Sequence, residues 1–181
     1  MDMIERTTAT EYKFKGRILN TRVDDVLLPD GSESKREIIE HSGGVGVIAL
    51  TDDNCICLVR QYRHPYGEVI YEIPAGKRET GEAPLTCGKR ELSEEAGYTA
   101  EKWLSLGVIY PTPAYCNEKI YIFLATKLTK GNVHLDQGEF VESVALPLEE
   151  CVKMVMSGEI KDAKTQIAIL KVLAMKEAEQ L

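Results

Sequence analysis

No run of 18 or more apolar residues occurs in this 181-residue chain, which excludes a helix that crosses a bilayer. The opening residues, Met1 to Arg6, lack the basic-then-apolar pattern of a secretory leader, so secretion is not expected. The five cysteines (Cys55, Cys57, Cys87, Cys116 and Cys151) are odd in number and form no C-x-x-C pair, so buried free thiols in a reducing cytoplasm are the expectation. Internal repeats, low-complexity tracts and Pro/Ser-rich linkers are also missing. The 22 Lys and Arg residues are scattered among 29 Asp and Glu, giving a net charge of −7. Without a basic face, a nucleic-acid polymer is not an expected partner. An acidic chain can still handle an anionic small molecule if divalent cations stand between its carboxylates and the phosphates.

What is present is enough for a core: 44% hydrophobic and 28% charged residues lie near globular averages. The first third reads as strands. Lys13 to Val26 mixes β-branched and polar residues, Pro29-Asp30-Gly31-Ser32 supplies a turn, and Arg36 to Glu40 follows. Val45 to Leu50 and Cys55 to Gln61 flank Asp52-Asp53-Asn54, predicting a hairpin of buried strands. Thr86 to Ala96 reads as a helix, with Pro84 suited to a first turn and Gly97 to the left-handed position that ends it. Lys119 to Thr126 is a further strand. Leu148, Cys151, Val152 and Val155 follow helical spacing up to Gly158, and Asp162 can cap a last helix bearing Ile167, Leu170 and Ala174. Early strands, one central helix and two closing helices give an α+β class, with helices packed on a mixed sheet.

The informative segment is GKRETGEAPLTCGKRELSEEAGY, Gly76 to Tyr98. Glu91, Glu94 and Glu95 stand at i, i+3 and i+4, so they project from one helix face. Like charges at that spacing destabilise a helix by a few tenths of a kcal/mol per pair. Such a face is either well solvated or binds cations. Leu85, Leu92 and Ala96 form a stripe that anchors the helix to a core, and Gly88 predicts a close approach by a neighbour. Arg90 can hold a carboxylate by a bidentate pair. Pro74-Ala75-Gly76 ahead of the helix permits an unusual turn that leaves carbonyls free for a metal. Three carboxylates and a carbonyl are a hard-oxygen set, which favours Mg²⁺ or Mn²⁺ over zinc.

The same segment resembles the Nudix box, G-x5-E-x7-R-E-U-x-E-E-x-G-U, where U is apolar. Gly76, Glu82, Arg90, Glu91, Glu94, Glu95 and Gly97 fill every fixed position, with Leu92 and Tyr98 at the U positions. At about 7% usage per residue type, seven matches in one register arise by chance on the order of once in 10⁸, which sets coincidence aside. The resemblance implies an α/β/α sandwich around a mixed sheet. It also implies a hydrolase of diphosphate bonds in small nucleotides, with Glu91, Glu94, Glu95 and the Ala75 carbonyl as metal ligands. Arg90 would orient a glutamate, and Glu82 would support the loop or reach the metal through water.

Outside the box, Arg60-Gln61-Tyr62-Arg63 with Glu72-Ile73-Pro74-Ala75-Gly76 resembles the ADP-ribose pyrophosphatase branch. So do Tyr110-Pro111-Thr112-Pro113-Ala114 with Glu118, and Arg36-Glu37 with His41; Ala114 departs from the branch's usual Gly. In that branch Arg36, Glu37 and Arg63 would meet the nucleotide or its phosphates, and Ala114 and Glu118 the terminal ribose. The tyrosines Tyr62, Tyr66, Tyr110 and Tyr115 either stack on adenine or are ordinary strand and loop aromatics. The general base would come from an acidic loop, Leu135 to Glu142: Glu139 first, with Asp136 and Glu142 behind it. His64 and His134 read as surface groups. The resemblance further implies that residues 1–44 are strands of a dimerisation sheet, that 45–181 form the hydrolase domain, and that two copies pair as a homodimer in the cytoplasm. Two other readings stay open: a hydrolase of another nucleoside diphosphate sugar such as ADP-glucose or GDP-mannose, and a non-catalytic ADP-ribose sensor.

Overall fold

The computed structural model describes residues 2–135 and 137–181. The chain divides into two compact units, residues 1–43 with 110–119, and residues 44–109 with 120–181.

In the first unit, β1 (Arg6–Lys15), β2 (Leu19–Leu27) and β3 (Glu33–His41) form an antiparallel sheet in the order β1-β2-β3. The Lys13 to Val26 stretch is therefore not continuous strand. It reverses at residues 16–18, where the Gly16 N–H donates to the Leu19 carbonyl at 3.0 Å. All ten residues of β1 are exposed. Residues 110–119 belong to this unit because their backbone is bonded to β3. The Ile39 N–H donates to Tyr115 O (2.7 Å), the Asn117 N–H to Ile39 O (3.1 Å), and the His41 N–H to Asn117 Oδ1 (2.9 Å).

The second unit contains β4 (Gly44–Leu50), β5 (Cys55–Arg63), β6 (Glu68–Glu72), β7 (Ala75–Lys77), α1 (Pro84–Ala96), β8 (Tyr98–Ile109), β9 (Ile120–Lys130), β10 (Val141–Pro147), α2 (Leu148–Ser157) and α3 (Ala163–Glu177). Its sheet runs β10-β5-β4-β9-β8, with β6 added to β5 and β7 to β4. Only β4 and β9 pair in parallel among these strands, so the sheet is mixed. Period-two alternation splits the buried strands between two cores. Val45, Val47, Ala49, Cys57 and Ala125 pack with Cys87, Leu92 and Ala96 of α1. Ile48, Leu50, Ile56, Leu58, Ile122 and Leu124 pack against α2 and α3 through Leu148, Cys151, Met154, Ile169 and Val172. Helix, sheet and helix thus make three layers, and a strand buried on both faces reads as the continuous apolar run VGVIAL.

The expected hairpin of β4 and β5 is pared down. They pair only at Ala49↔Cys57 and Leu50↔Ile56, because β7 occupies the first half of the β4 edge at Gly44, Val45 and Gly46. Helix α1 begins on Pro84 and stops at Gly97, whose left-handed backbone (φ 69°) lets its N–H reach back to the Leu92 and Ser93 carbonyls. Asp162 caps α3 by accepting the Thr165 N–H. Leu85 is a correction. It is exposed, burial on α1 begins at Cys87, and the inward stripe is Cys87, Gly88, Glu91, Leu92, Glu95 and Ala96.

Candidate active site

Two of the three box glutamates carried by α1 thus lie on its buried face, an unusual place for carboxylates. Glu91 is 8% exposed and Glu95 6%. They sit against β7. The Ala75 N–H donates to Glu95 Oε2 at 2.8 Å, and the Glu91 carboxylate lies over Gly76 so closely that a Cβ there would stand 1.9 Å from Oε1. Gly76 is needed for this contact and not for an unusual turn. It pairs with Val45 in a regular strand and takes no positive φ, which corrects the expectation placed on Pro74-Ala75-Gly76. Gly88 does meet a close neighbour, since a Cβ there would lie 3.1 Å from Val45 and 3.2 Å from Val47.

Arg90 holds more than one carboxylate. It reaches Glu82 through Nε (3.1 Å) and Nη2 (3.2 Å), and Glu94 (3.0 Å) and Glu91 (2.7 Å) through Nη1. Hydrogen bonds from Arg90, aided by the Glu79 N–H, hold the Glu82 carboxyl down at about 2. The buried pair goes the other way. Burial raises Glu91, only partly opposed by Arg90, and pushes Glu95 up to about 8, only partly opposed by the Ala75 N–H. One segment therefore carries an acid locked in its ionised form and another that is poorly solvated when ionised. Among the described residues, no three carboxylate, imidazole or thiol groups converge on one point. The donor set still fits a hard divalent cation. Two desolvated carboxylates lie against β7, Glu91 over Gly76 where a Cβ would collide with it and Glu95 on the Ala75 N–H, and their charge is not fully compensated by the protein.

Next to this cradle, Arg63 at the end of β5 grips Glu72 side-on, Nε to Oε1 at 2.5 Å and Nη2 to Oε2 at 2.8 Å. Glu72 is almost fully buried, yet its pKa is lowered, because Arg63 and Lys164 of α3 outweigh the burial that opposes them. Its charge in turn helps to raise Glu95. Glu72 was visible only as part of a resemblance, and Lys164 gave no sequence signal; a glutamate at an inward position of an apolar strand was the one available clue.

Glu139 is exposed, and its charge contributes to raising both Glu91 and Glu95. Asp136 lies outside the described residues. Glu142 is in β10, paired with Arg60 at 2.8 Å. In the first unit, Arg36 is ion-paired with Glu5 at 2.5 Å, Glu37 is exposed opposite Val23, Ala114 is exposed, and Glu118 lies 3.0 Å from His41 Nδ1. Tyr62, Tyr66, Tyr110 and Tyr115 are all exposed.

This box, folded as a strand–loop–helix with buried carboxylates, places the molecule in a defined class. The chain belongs to the Nudix family: residues 40–166 match the NUDIX domain, and residues 5–39 match the nucleoside diphosphate sugar hydrolase N-terminal domain. It is 45% identical to the ADP-ribose pyrophosphatase of Bacillus subtilis over 97% of this chain and 96% of that protein. It is 43% identical to the methanol dehydrogenase activator of Bacillus methanolicus over 96% and 95%. The crystal structure of an ADP compounds hydrolase shares the fold at a TM-score of 0.85, with 21% identity, covering 98% of this chain and 97% of the other.

Proposed function

We propose that this protein hydrolyses the diphosphate bond of ADP-ribose, releasing AMP and ribose 5-phosphate. The observation that carries the reading is the pair Glu91 and Glu95, buried side by side against Ala75 and Gly76 within a complete box. The 45% identity to an ADP-ribose pyrophosphatase over nearly the whole chain supports that choice among diphosphates.

Glu91, Glu94, Glu95 and the Ala75 carbonyl would hold Mg²⁺, with Mn²⁺ able to take its place. A bound divalent cation supplies charge neutralisation on the diphosphate and makes water a better nucleophile at neutral pH. Arg63 presents its unpaired N–H groups to a phosphate oxygen. Glu139 takes the proton of the water that attacks phosphorus, and the P–O–P bridge breaks to leave a phosphate on each product. Arg36 and Glu37 bind the nucleotide half, while Ala114 and Glu118 line the terminal ribose. The five free cysteines support a reducing, cytoplasmic setting.

The test is phosphate release with Mg²⁺ and added alkaline phosphatase from intact ADP-ribose, ADP-glucose, GDP-mannose and NADH. A marked preference for ADP-ribose is the expected result. Preferred turnover of another nucleotide sugar would move the substrate and leave the chemistry standing. Binding of ADP-ribose with no turnover of any compound would make the protein a sensor and end the enzyme reading.

A homodimer built on residues 1–44 is the companion proposal. Strand β1 is exposed along its whole length, and Met3, Ile4, Phe14 and Ile18 around it are all more than half exposed. An open edge strand with exposed apolar side chains at its ends invites pairing with a second copy. Light scattering is expected to give twice the 20.2 kDa chain mass; a monomer mass at micromolar concentration would refute it.

A further inference from the structure

The anchor of Arg63 is itself anchored. Glu72 Oε2, which accepts from Arg63 Nη2, also accepts from Lys164 Nζ in the first turn of α3. Lys164 is held in place by a second bond, to Asp162 Oδ1 at 2.9 Å. Asp162 Oδ2 accepts the Thr165 N–H (2.9 Å) and hydroxyl (2.6 Å). The fully buried Thr165 hydroxyl in turn accepts the Ile73 N–H at 2.8 Å. Residues 72 to 75 are therefore fixed one after another: Glu72 by Arg63 and Lys164, Ile73 by Thr165, Pro74 O by the Val47 N–H at 2.9 Å, and Ala75 N–H by Glu95. The start of α3 is thus bonded directly to the short turn that leads into the carboxylate cradle.

Of the five N–H groups of a guanidinium, Arg63 spends two on Glu72. Among the described residues Nη1 has no hydrogen-bond partner, and the side chain is 40% exposed. The guanidinium can bind an oxyanion only if its plane is held at one tilt and its charge is not wholly cancelled by Glu72. Lys164 serves both needs. It fixes the carboxylate at Oε2, so Glu72 cannot rotate and carry the guanidinium with it. It also takes a share of the carboxylate charge, leaving more of Arg63's charge for a ligand.

Given the reading of Arg63 as a phosphate-binding group, on which this rests, we propose that Lys164 is a positioning residue that sets Arg63 through Glu72 for the substrate diphosphate. Lys164 does not touch the substrate in this scheme. Its contribution is made equally in the bound ground state and the transition state, so its loss appears in KM more than in kcat.

The experiment is steady-state kinetics on ADP-ribose for Lys164→Met, Lys164→Arg, Glu72→Gln, the Glu72→Gln/Lys164→Met double variant and Arg63→Ala, each with its melting temperature. Lys164→Met is expected to raise KM about tenfold with kcat within about threefold. Lys164→Arg, which keeps a cation on Glu72, is expected to recover most of that loss. The double variant is expected to resemble Glu72→Gln alone, because Lys164 has nothing to act through once Glu72 is neutral. A Lys164→Met variant with a lowered melting temperature but unchanged KM makes Lys164 a structural tie only and overturns the proposal. So does an additive double variant. If Arg63→Ala also leaves KM unchanged, it is the phosphate-binding reading of Arg63 that fails.

Discussion

Glu95→Gln is expected to lower kcat for ADP-ribose by about 10³-fold, the loss of several kcal/mol of transition-state stabilisation that removing the proposed metal ligand would bring. The same substitution is expected to stabilise the metal-free protein. Glu95 is 6% exposed, and among the described residues its one hydrogen bond is from the Ala75 N–H at 2.8 Å. Burial pushes its carboxyl up to about 8, so at neutral pH the folded chain is penalised for a group that ionises freely when unfolded. Glutamine keeps the oxygen that accepts from Ala75 and removes the charge. A gain of about 2 kcal/mol at pH 8 corresponds to a melting temperature higher by about 4–8 °C for a chain of this size. Calorimetry in EDTA and a turnover assay in Mg²⁺ supply the two readouts. A catalytically dead variant that is also less stable would mean that Glu95 holds the fold together, and full activity would remove it from the metal site. Glu82 marks the opposite case in the same box: Arg90 holds it at about 2, so its charge stabilises the fold.

Such opposed roles within one short segment were only partly legible in the sequence. The box spacing marked the helix, Pro84 its start and Gly97 its end, because each rests on a local backbone preference that survives in any context. VGVIAL announced a strand covered on both faces for the same reason. Strand β8 was not assigned. It lies at the edge of the sheet, is interrupted by Glu101-Lys102 and Gly107, and buries only Leu106 of its twelve residues, so its alternation is too dilute to read. The segment 110–119 joins β3 through backbone bonds, which leave no trace in side-chain pattern. Gly76 was correctly singled out for the wrong reason: a glycine demanded by a neighbouring carboxylate looks in sequence the same as one demanded by a turn. Leu85 was misplaced because helical spacing says which residues share a face but not where along the helix the sheet begins. Lys164 shows the limit most clearly. A lysine in the first turn of a helix is unremarkable until the fold brings a buried glutamate from ninety-two residues away to meet it.

Mg²⁺ is expected to stabilise the protein far more at pH 8 than at pH 5.5, and the sign follows from the buried pair. Both Glu91 and Glu95 have folded-state pKa values raised by burial above the ordinary 4.5, Glu95 to about 8. Between pH 5.5 and pH 8 the folded chain retains the Glu95 proton that the unfolded chain has released. The stability of the metal-free protein therefore falls as pH rises through this window, by up to about 1.4 kcal/mol per pH unit for each group so held. Glu72 and Glu82 have lowered values, so their contribution is present above 4.5 and is lost only in more acid solution. The metal-free protein is then most stable in mildly acid solution, near the lower end of the window. A divalent cation held there would replace the protons on the cradle, and because it would bind the ionised carboxylates its affinity would rise as the protons leave. By mass action the stabilisation grows with that affinity. Melting curves in EDTA and in Mg²⁺, with NaCl at matched ionic strength to separate site binding from screening, are expected to diverge steadily from pH 5.5 to pH 8. A constant gap across that range, or a gap that NaCl reproduces, would mean that the carboxylates are already ionised and compensated by the protein, and the buried pair would then have no need of a cation. In the Glu95→Gln variant the divergence is expected to shrink to what Glu91 alone supplies, which ties the pH-dependent term to the residue on which the proposed chemistry depends.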